Sequence, residues 1–161
     1  LNPLKRLNQQ TRLLTASGNH DLDGLNAQIL HGLPYEAISG RLDALGIGGG
    51  EAFWLAVRGN LVRFAEAADW WRVVTGPVEA DLSDEDRAFL KEAAAALPEE
   101  PWDETTFPAW TKAVSAATGR KGKALFQPLR VALTGRSAGP ELRLLVPLFG
   151  RHSTWGRLSG H

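Results

Sequence analysis

Apolar side chains recur at steps of three and four along most of this chain, and no stretch alternates with the period of two that a half-buried strand needs. The pattern predicts an all-helical fold. Leu4, Leu7, Thr11 and Leu14 share one face over residues 1–15, and Ser17-Gly18-Asn19 ends that helix. Asp21 caps a short second helix with Leu22, Leu25 and Ile29 inward. Pro34 suits the first turn of a third, whose buried face carries Tyr35, Ile38, Leu42 and Leu45. Gly46 and Gly48-Gly49-Gly50 close it. A long helix is expected from Glu51 to about Ala67, built on Phe53, Val57, Leu61, Phe64 and Ala68 and widened by Trp54. Asp69 to Val74 continues as a short helix or turn, with one of Trp70 and Trp71 in the core and the other at an interface.

Ser83 is a helix cap, followed by Asp84, Glu85 and Asp86 where the helix dipole favours negative charge. Phe89, Leu90, Ala94 and Leu97 form its packing side. The run Leu97-Pro98-Glu99-Glu100-Pro101 reads as a hinge, dividing the chain into helical subdomains over 1–97 and 98–161. Pro108 to Thr118 is expected to turn Trp110, Ala113, Val114 and Ala117 inward and to end at Gly119. Leu125, Leu129 and Leu133, with Phe126 and Ala132 alongside, then form one buried stripe. Pro128 cannot donate to the carbonyl of Ala124, so a break or kink is expected there. Pro140 starts a last helix with Leu142, Leu145, Val146 and Phe149 inward. Pro147 would shorten it, leaving Arg151 to His161 as a frayed end unless Trp155 and Leu158 dock it.

Composition narrows the chemistry. Cysteine is absent, which excludes disulfides and thiol catalysis, and the four histidines are scattered without ligand spacing. Polar residues interrupt Leu1 to Gln10, so no signal peptide is read there, and a cytoplasmic protein with no membrane partner is expected. The charge is zero overall but segregated. Residues 66–107 hold 3 basic and 12 acidic side chains, whereas residues 108–161 hold 9 basic and 1 acidic. The basic third suits a polyanion; ordinary solvated surface is the plainer reading, and attraction between the two blocks or to another protein is a third. The carboxylates near Ser83 form a capping pattern rather than an acid/base pair. There is no zinc spacing, no nucleophile elbow and no lysine–hydroxyl pair after the triple glycine. No catalytic and no metal-binding residue is expected.

Four positive side chains, Arg120, Lys121, Lys123 and Arg130, crowd the stretch from Gly119 to Gly135, GRKGKALFQPLRVALTG, with Ser137-Ala138-Gly139-Pro140-Glu141-Leu142 behind it. This run, with its internal proline and paired glycines, resembles the C-terminal anticodon-binding region of bacterial glutamyl-tRNA synthetases. Residues Leu25 to Tyr35 and Ala52 to Arg58 resemble the same family. The resemblance covers most of the chain and is weak from Val78 to Phe107. It implies a helical bundle or cage of two small subdomains of the class I glutamyl-tRNA synthetase anticodon-binding type. It implies tRNA(Glu) as partner, an upstream catalytic domain of the same enzyme, and a monomer. No cofactor is implied for this stretch, whereas the parent ligase would use ATP and Mg. The signatures of that catalytic domain are not in this sequence, so either an excised part of a ligase or a stand-alone helical tRNA-binding or protein-interaction module fits.

Unpaired anticodon bases are read on their edges while phosphate contacts set position. Lys121, Lys123 and Arg136 are expected to hold phosphate, with the glycine-flanked turn letting both lysines reach one backbone. The resemblance implies a functional arginine near Arg58, the candidate base reader. Arg130 is assigned either to RNA or to bracing the fold against a helix C-terminus.

Overall fold

The computed structural model describes residues 27–160. The expected helix over 1–15 and the placement of Leu22 and Leu25 lie outside them. Among the described residues there is no strand. The helices are α1 (Ala27–Gly32), α2 (Tyr35–Ala44), α3 (Gly50–Val57), a 3-10 turn (Arg58–Asn60), α4 (Glu66–Thr75), α5 (Asp84–Ala95), α6 (Thr106–Thr118), α7 (Lys123–Thr134) and α8 (Leu142–Ser159). They fall into two compact units that divide between Trp71 and Arg72. The hinge read at Pro98–Pro101 is not where the packing divides. α5 packs against α6 and α8, and therefore belongs with the C-terminal helices.

In the first unit, Leu30, Leu33, Ile38, Leu42, Phe53 and Trp54 are buried in the core. The helix expected over 51–67 stops at Val57. Gly59 and Asn60 are poor helix formers, and Leu61 turns extended, at φ −83° and ψ 134°, which carries its side chain into the core. The amides of Val62 and Arg63 would have bonded back to residues 58 and 59. They donate instead to the Glu66 carboxylate, at 2.8 and 2.6 Å, and α4 starts from that clasp. Trp70 is buried and Trp71 half-buried, the latter set edge-on to Phe53 with ring centres 5.3 Å apart.

In the second unit α8 is central and packs against α5, α6 and α7. The Ser83 cap forms as its sequence predicts: its hydroxyl accepts from the Asp86 amide at 3.1 Å. Phe89, Leu90, Ala94 and Leu97 are buried. On α6, Trp110 and Val114 face the core and Trp110 donates to the Ala93 carbonyl, but Ala113 and Ala117 are exposed and Phe107 and Thr111 take the inner positions. α8 runs through Pro147 and bends at Gly150, whose φ of 78° and ψ of 168° only glycine adopts readily. The segment after the bend is helical rather than frayed. Leu158 is buried, and Arg157 donates to the carbonyls of Leu133, Val74 and Gly76 at 2.6, 2.9 and 3.2 Å. Burial lowers the pKa of that guanidinium, and the centre of the Phe149 ring lies 4.3 Å from it.

Candidate nucleic-acid interface

Between α6, the Gly119–Gly122 loop, α7 and the start of α8 lies an open cleft of about 870 Å³. Its floor is apolar, from Phe107, Leu125, Phe126 and Leu142. Its rim is cationic, from Lys112, Lys121, Arg130 and Arg143. Gly119 ends α6 in the left-handed region at φ 77°, and Gly122 opens α7 at φ 59° and ψ −137°. These two glycines let the chain reverse within a few residues, and Lys121 stands at the bend.

The cations of the rim differ in what they are free to do. Lys112 and Lys121 are exposed and make no hydrogen bond or ion pair among the described residues. Arg143 is tied to Glu141 at 2.7 Å and Glu104 at 3.4 Å, which offsets much of its charge. Arg130 is half-buried and donates to the Pro140 carbonyl at 3.0 Å, and desolvation lowers its pKa. That bond holds the residue before the α8 N-cap, at the start of a helix rather than at the helix C-terminus expected for it. It also lines the cleft.

Phe126 does not belong to the buried stripe. It is 43% exposed and tilted against Phe107, with ring centres 6.2 Å apart. An exposed aromatic face flanked by lysine and arginine is the pairing that single-stranded RNA sites use, bases stacking on the ring while cations take the backbone. Lys112 and Phe126 are the cleft residues that periodicity overlooks. A helical projection of α6 places Lys112 and Ala116 on one face with Pro108, which is the available signal; for Phe126, the stripe of leucines on the same helix masks it.

Lys123 opens elsewhere. It lines a second cleft of about 660 Å³, on another side of α7, together with Asp81, Glu85 and Asp86. Lys121 and Lys123 thus line different clefts. Arg120 lines this second cleft too, and is paired with Asp86 at 2.9 Å. The acidic and basic blocks of the sequence thus meet directly where Asp86 on α5 pairs with Arg120 in the loop before α7.

Arg136 is exposed in the loop after α7, and its amide donates to the Thr134 hydroxyl at 3.1 Å. Arg58 belongs to the first unit. It is half-buried, and its Nη1 donates to the Leu33 carbonyl at 2.8 Å, an acceptor it shares with Trp54 Nε1 at 2.7 Å.

A break or kink is expected at Pro128, and no break occurs: α7 continues as one helix from Lys123 to Thr134. The carbonyl that the proline leaves without its usual partner, that of Ala124, accepts from Arg120 Nη1 at 3.0 Å.

A model of the anticodon binding domain matches residues 58–161, which include the whole of the cleft. The chain belongs to the anticodon binding domain family. It is 60% identical over 140 residues to glutamate–tRNA ligase 2 of Xanthobacter autotrophicus, an alignment covering 87% of this chain and 31% of that protein. It is 56% identical over 143 residues to glutamate–tRNA ligase 2 of a Methylobacterium species, covering 88% and 32% respectively. The chain therefore spans about a third of the length of the curated relatives it matches. Among solved structures, it superposes on a glutamate tRNA ligase from Elizabethkingia meningosepticum in complex with its amino acid. That match has a TM-score of 0.69 and 17% identity, and covers 84% of this chain and 30% of that one. This last likeness is one of fold, and it agrees with the helical anticodon-binding architecture that the resemblance implied.

Within an anticodon binding domain, the cleft geometry has a direct chemical reading. A cation such as Lys121, exposed and without a partner among the described residues, can meet a phosphate without first breaking a bond. Among the described residues no group of three or more His, Cys, Asp or Glu could hold a metal ion, and no helix is long and apolar enough to cross a membrane.

Proposed function

We propose that this domain holds the anticodon arm of tRNA(Glu) as part of a glutamate–tRNA ligase, positioning the RNA for ATP-dependent glutamylation. The observation that carries the reading is the cleft: an apolar floor with an exposed aromatic, rimmed by lysines that have no partner among the described residues. Lys121 takes phosphate, Phe126 offers a stacking face, and Arg130 presents its free N–H groups to a base edge. Arg136, on the neighbouring loop, adds a second phosphate contact. Lys123 contributes through the long-range field, since carboxylates share its cleft. Arg58 remains the base reader proposed for the first unit, using the N–H groups that Leu33 does not occupy. The working protein is a cytoplasmic monomer in this reading, joined to a catalytic domain.

The residues present do not fit ATP or Mg. The triple glycine at 48–50 has no lysine–hydroxyl pair after it, and among the described residues no carboxylate cluster suits a divalent ion. No step of the activation chemistry is assigned to this chain. Glutamyl-adenylate formation by the purified domain should stay at background.

Binding of fluorescent tRNA(Glu) transcript to the 161-residue chain, over a salt series, tests the proposal. The expected result is tighter binding to tRNA(Glu) than to a noncognate tRNA, with affinity falling steeply as salt rises. Equal and salt-insensitive affinities would overturn it, and would favour a protein-interaction module.

A further inference from the structure

Arg120 sits in the most basic stretch of the chain, yet its charge is engaged inside the fold. Its Nη1 bonds Asp86 at 2.9 Å on α5 and the Ala124 carbonyl at 3.0 Å on α7. Its guanidinium lies 4.3 Å from the centre of the Phe89 ring, again on α5, and Glu85 stands 3.9 Å from Nη2. Its backbone is held at the other end. The Arg120 amide donates to Thr118 Oγ1 at 3.3 Å, and its carbonyl accepts from the Ser115 hydroxyl at 2.8 Å, both on α6. One residue therefore joins three helices at the point where the chain turns from α6 to α7.

Its neighbour has none of this. Lys121 is exposed and lies between two glycines that offer the backbone no stiffness of their own. Nothing in Lys121 fixes where it points.

We infer that Arg120 is a positioning residue that aims Lys121 at the cleft, and that it makes no contact with RNA itself. The inference rests on the proposed RNA-binding role of the cleft. It assigns to the most clustered positive charge in the sequence a part that its charge alone does not suggest. Arginine is needed because one planar fork must meet a carboxylate, a carbonyl and an aromatic face together, and a lysine ammonium cannot.

The test is a double-mutant cycle on tRNA(Glu) affinity with the 161-residue chain. Arg120→Gln should weaken binding about fivefold or more, within the range for residues coupled in one network. It should also flatten the salt dependence by about one unit of slope, although Arg120 touches no phosphate. In a Lys121→Ala background both effects should vanish. Arg120→Lys, which keeps the charge, should not restore them. A reduction from Arg120→Gln that persists in full without Lys121 would overturn the inference, as would unchanged binding.

A second comparison keeps Arg120 in place, in case its replacement disturbs folding. Asp86→Asn removes the carboxylate that clamps it; Asp84→Asn removes the same charge from the same helical turn. The two variants have equal net charge. The clamp predicts weaker RNA binding by Asp86→Asn than by Asp84→Asn. Equal binding would leave the clamp without a role, tighter binding would show Arg120 acting on RNA once released, and either would end the idea. If Lys121→Ala alone leaves affinity and slope unchanged, the cleft reading falls, and this inference with it.

Discussion

Lys121 and Lys123 stand two residues apart and open onto different clefts, one apolar with a cationic rim, the other shared with Asp81, Glu85 and Asp86. Their substitutions should therefore differ. Lys121→Ala is expected to lower the slope of log affinity against log salt by about one unit, the amount that a single phosphate contact contributes. Lys123→Ala should leave the slope within error and change affinity by less. Titrating tRNA(Glu) into each variant across a salt series decides between this and a shared backbone contact, for which the two would behave alike.

Phe126 and Leu129 lie one turn apart on α7 but do different work. Leu129 is fully buried, so Leu129→Ala should cost roughly 2–5 kcal/mol of stability. Phe126→Ala should cost much less stability and yet weaken RNA binding by about 1–3 kcal/mol, the value of one base–aromatic stack. Urea denaturation and tRNA binding, measured on both variants, separate the roles. A Phe126→Ala protein that binds RNA normally would remove the stacking assignment.

Arg157 holds three carbonyls from inside the C-terminal unit. Arg157→Ala strands those acceptors and should reduce unfolding free energy by about 2–3 kcal/mol, the scale of charge-assisted bonds at a partly buried site. Arg157→Lys should recover only part of this, since a single ammonium cannot reproduce the fork. Thermal unfolding of the two variants provides the check. Wild-type stability in Arg157→Ala would mean that the last helix does not depend on this anchor.

Asp103 supports the start of α6. Its Oδ1 accepts from the Thr105 hydroxyl at 2.6 Å and the Thr105 amide at 2.8 Å, and these bonds lower its pKa below the ordinary 3.8. Its folded pKa is depressed, so the stabilisation is present at neutral pH and fades as pH falls below 3.8 through the folded value. Asp103→Asn should be slightly less stable than wild type at neutral pH, and the gap should close in that acid window. Denaturation midpoints at neutral pH and at about pH 3 measure it; a gap that widens in acid would contradict the bonding.

Helices with regular spacing and a clear cap are legible from the order of residues. The Ser83 cap, the core positions Leu125, Leu129 and Leu133, and the inward face of Leu142, Leu145, Val146 and Phe149 all stand where periodicity puts them. Two departures share one cause. Gly59-Asn60 and Pro128 are both helix-weakening features; periodicity carries a helix through the first, and the missing proline N–H leads to an expected break or kink at the second, whereas the fold ends one helix at Val57 and continues the other through Pro128. What decides each is the partner available to the stranded backbone groups. At Val62 and Arg63 the Glu66 carboxylate takes the amides and ends one helix. At Ala124 the Arg120 guanidinium takes the carbonyl and helps the other continue.

The sequence by itself determined the helical class, most of the buried faces, and the family, because these follow from spacing and from a long motif that is readable without coordinates. It also located the positive charge. Only the tertiary structure decided which of those charges is available. Arg120 and Lys121 are adjacent and identical in sign, but one is consumed by Asp86, Ala124 and Phe89 and the other stands exposed. That difference arises from groups as far as 34 residues away in sequence. A local pattern carries no information about such a partner, because the energy of a charge in a fold is set by what packing brings within a few ångströms of it.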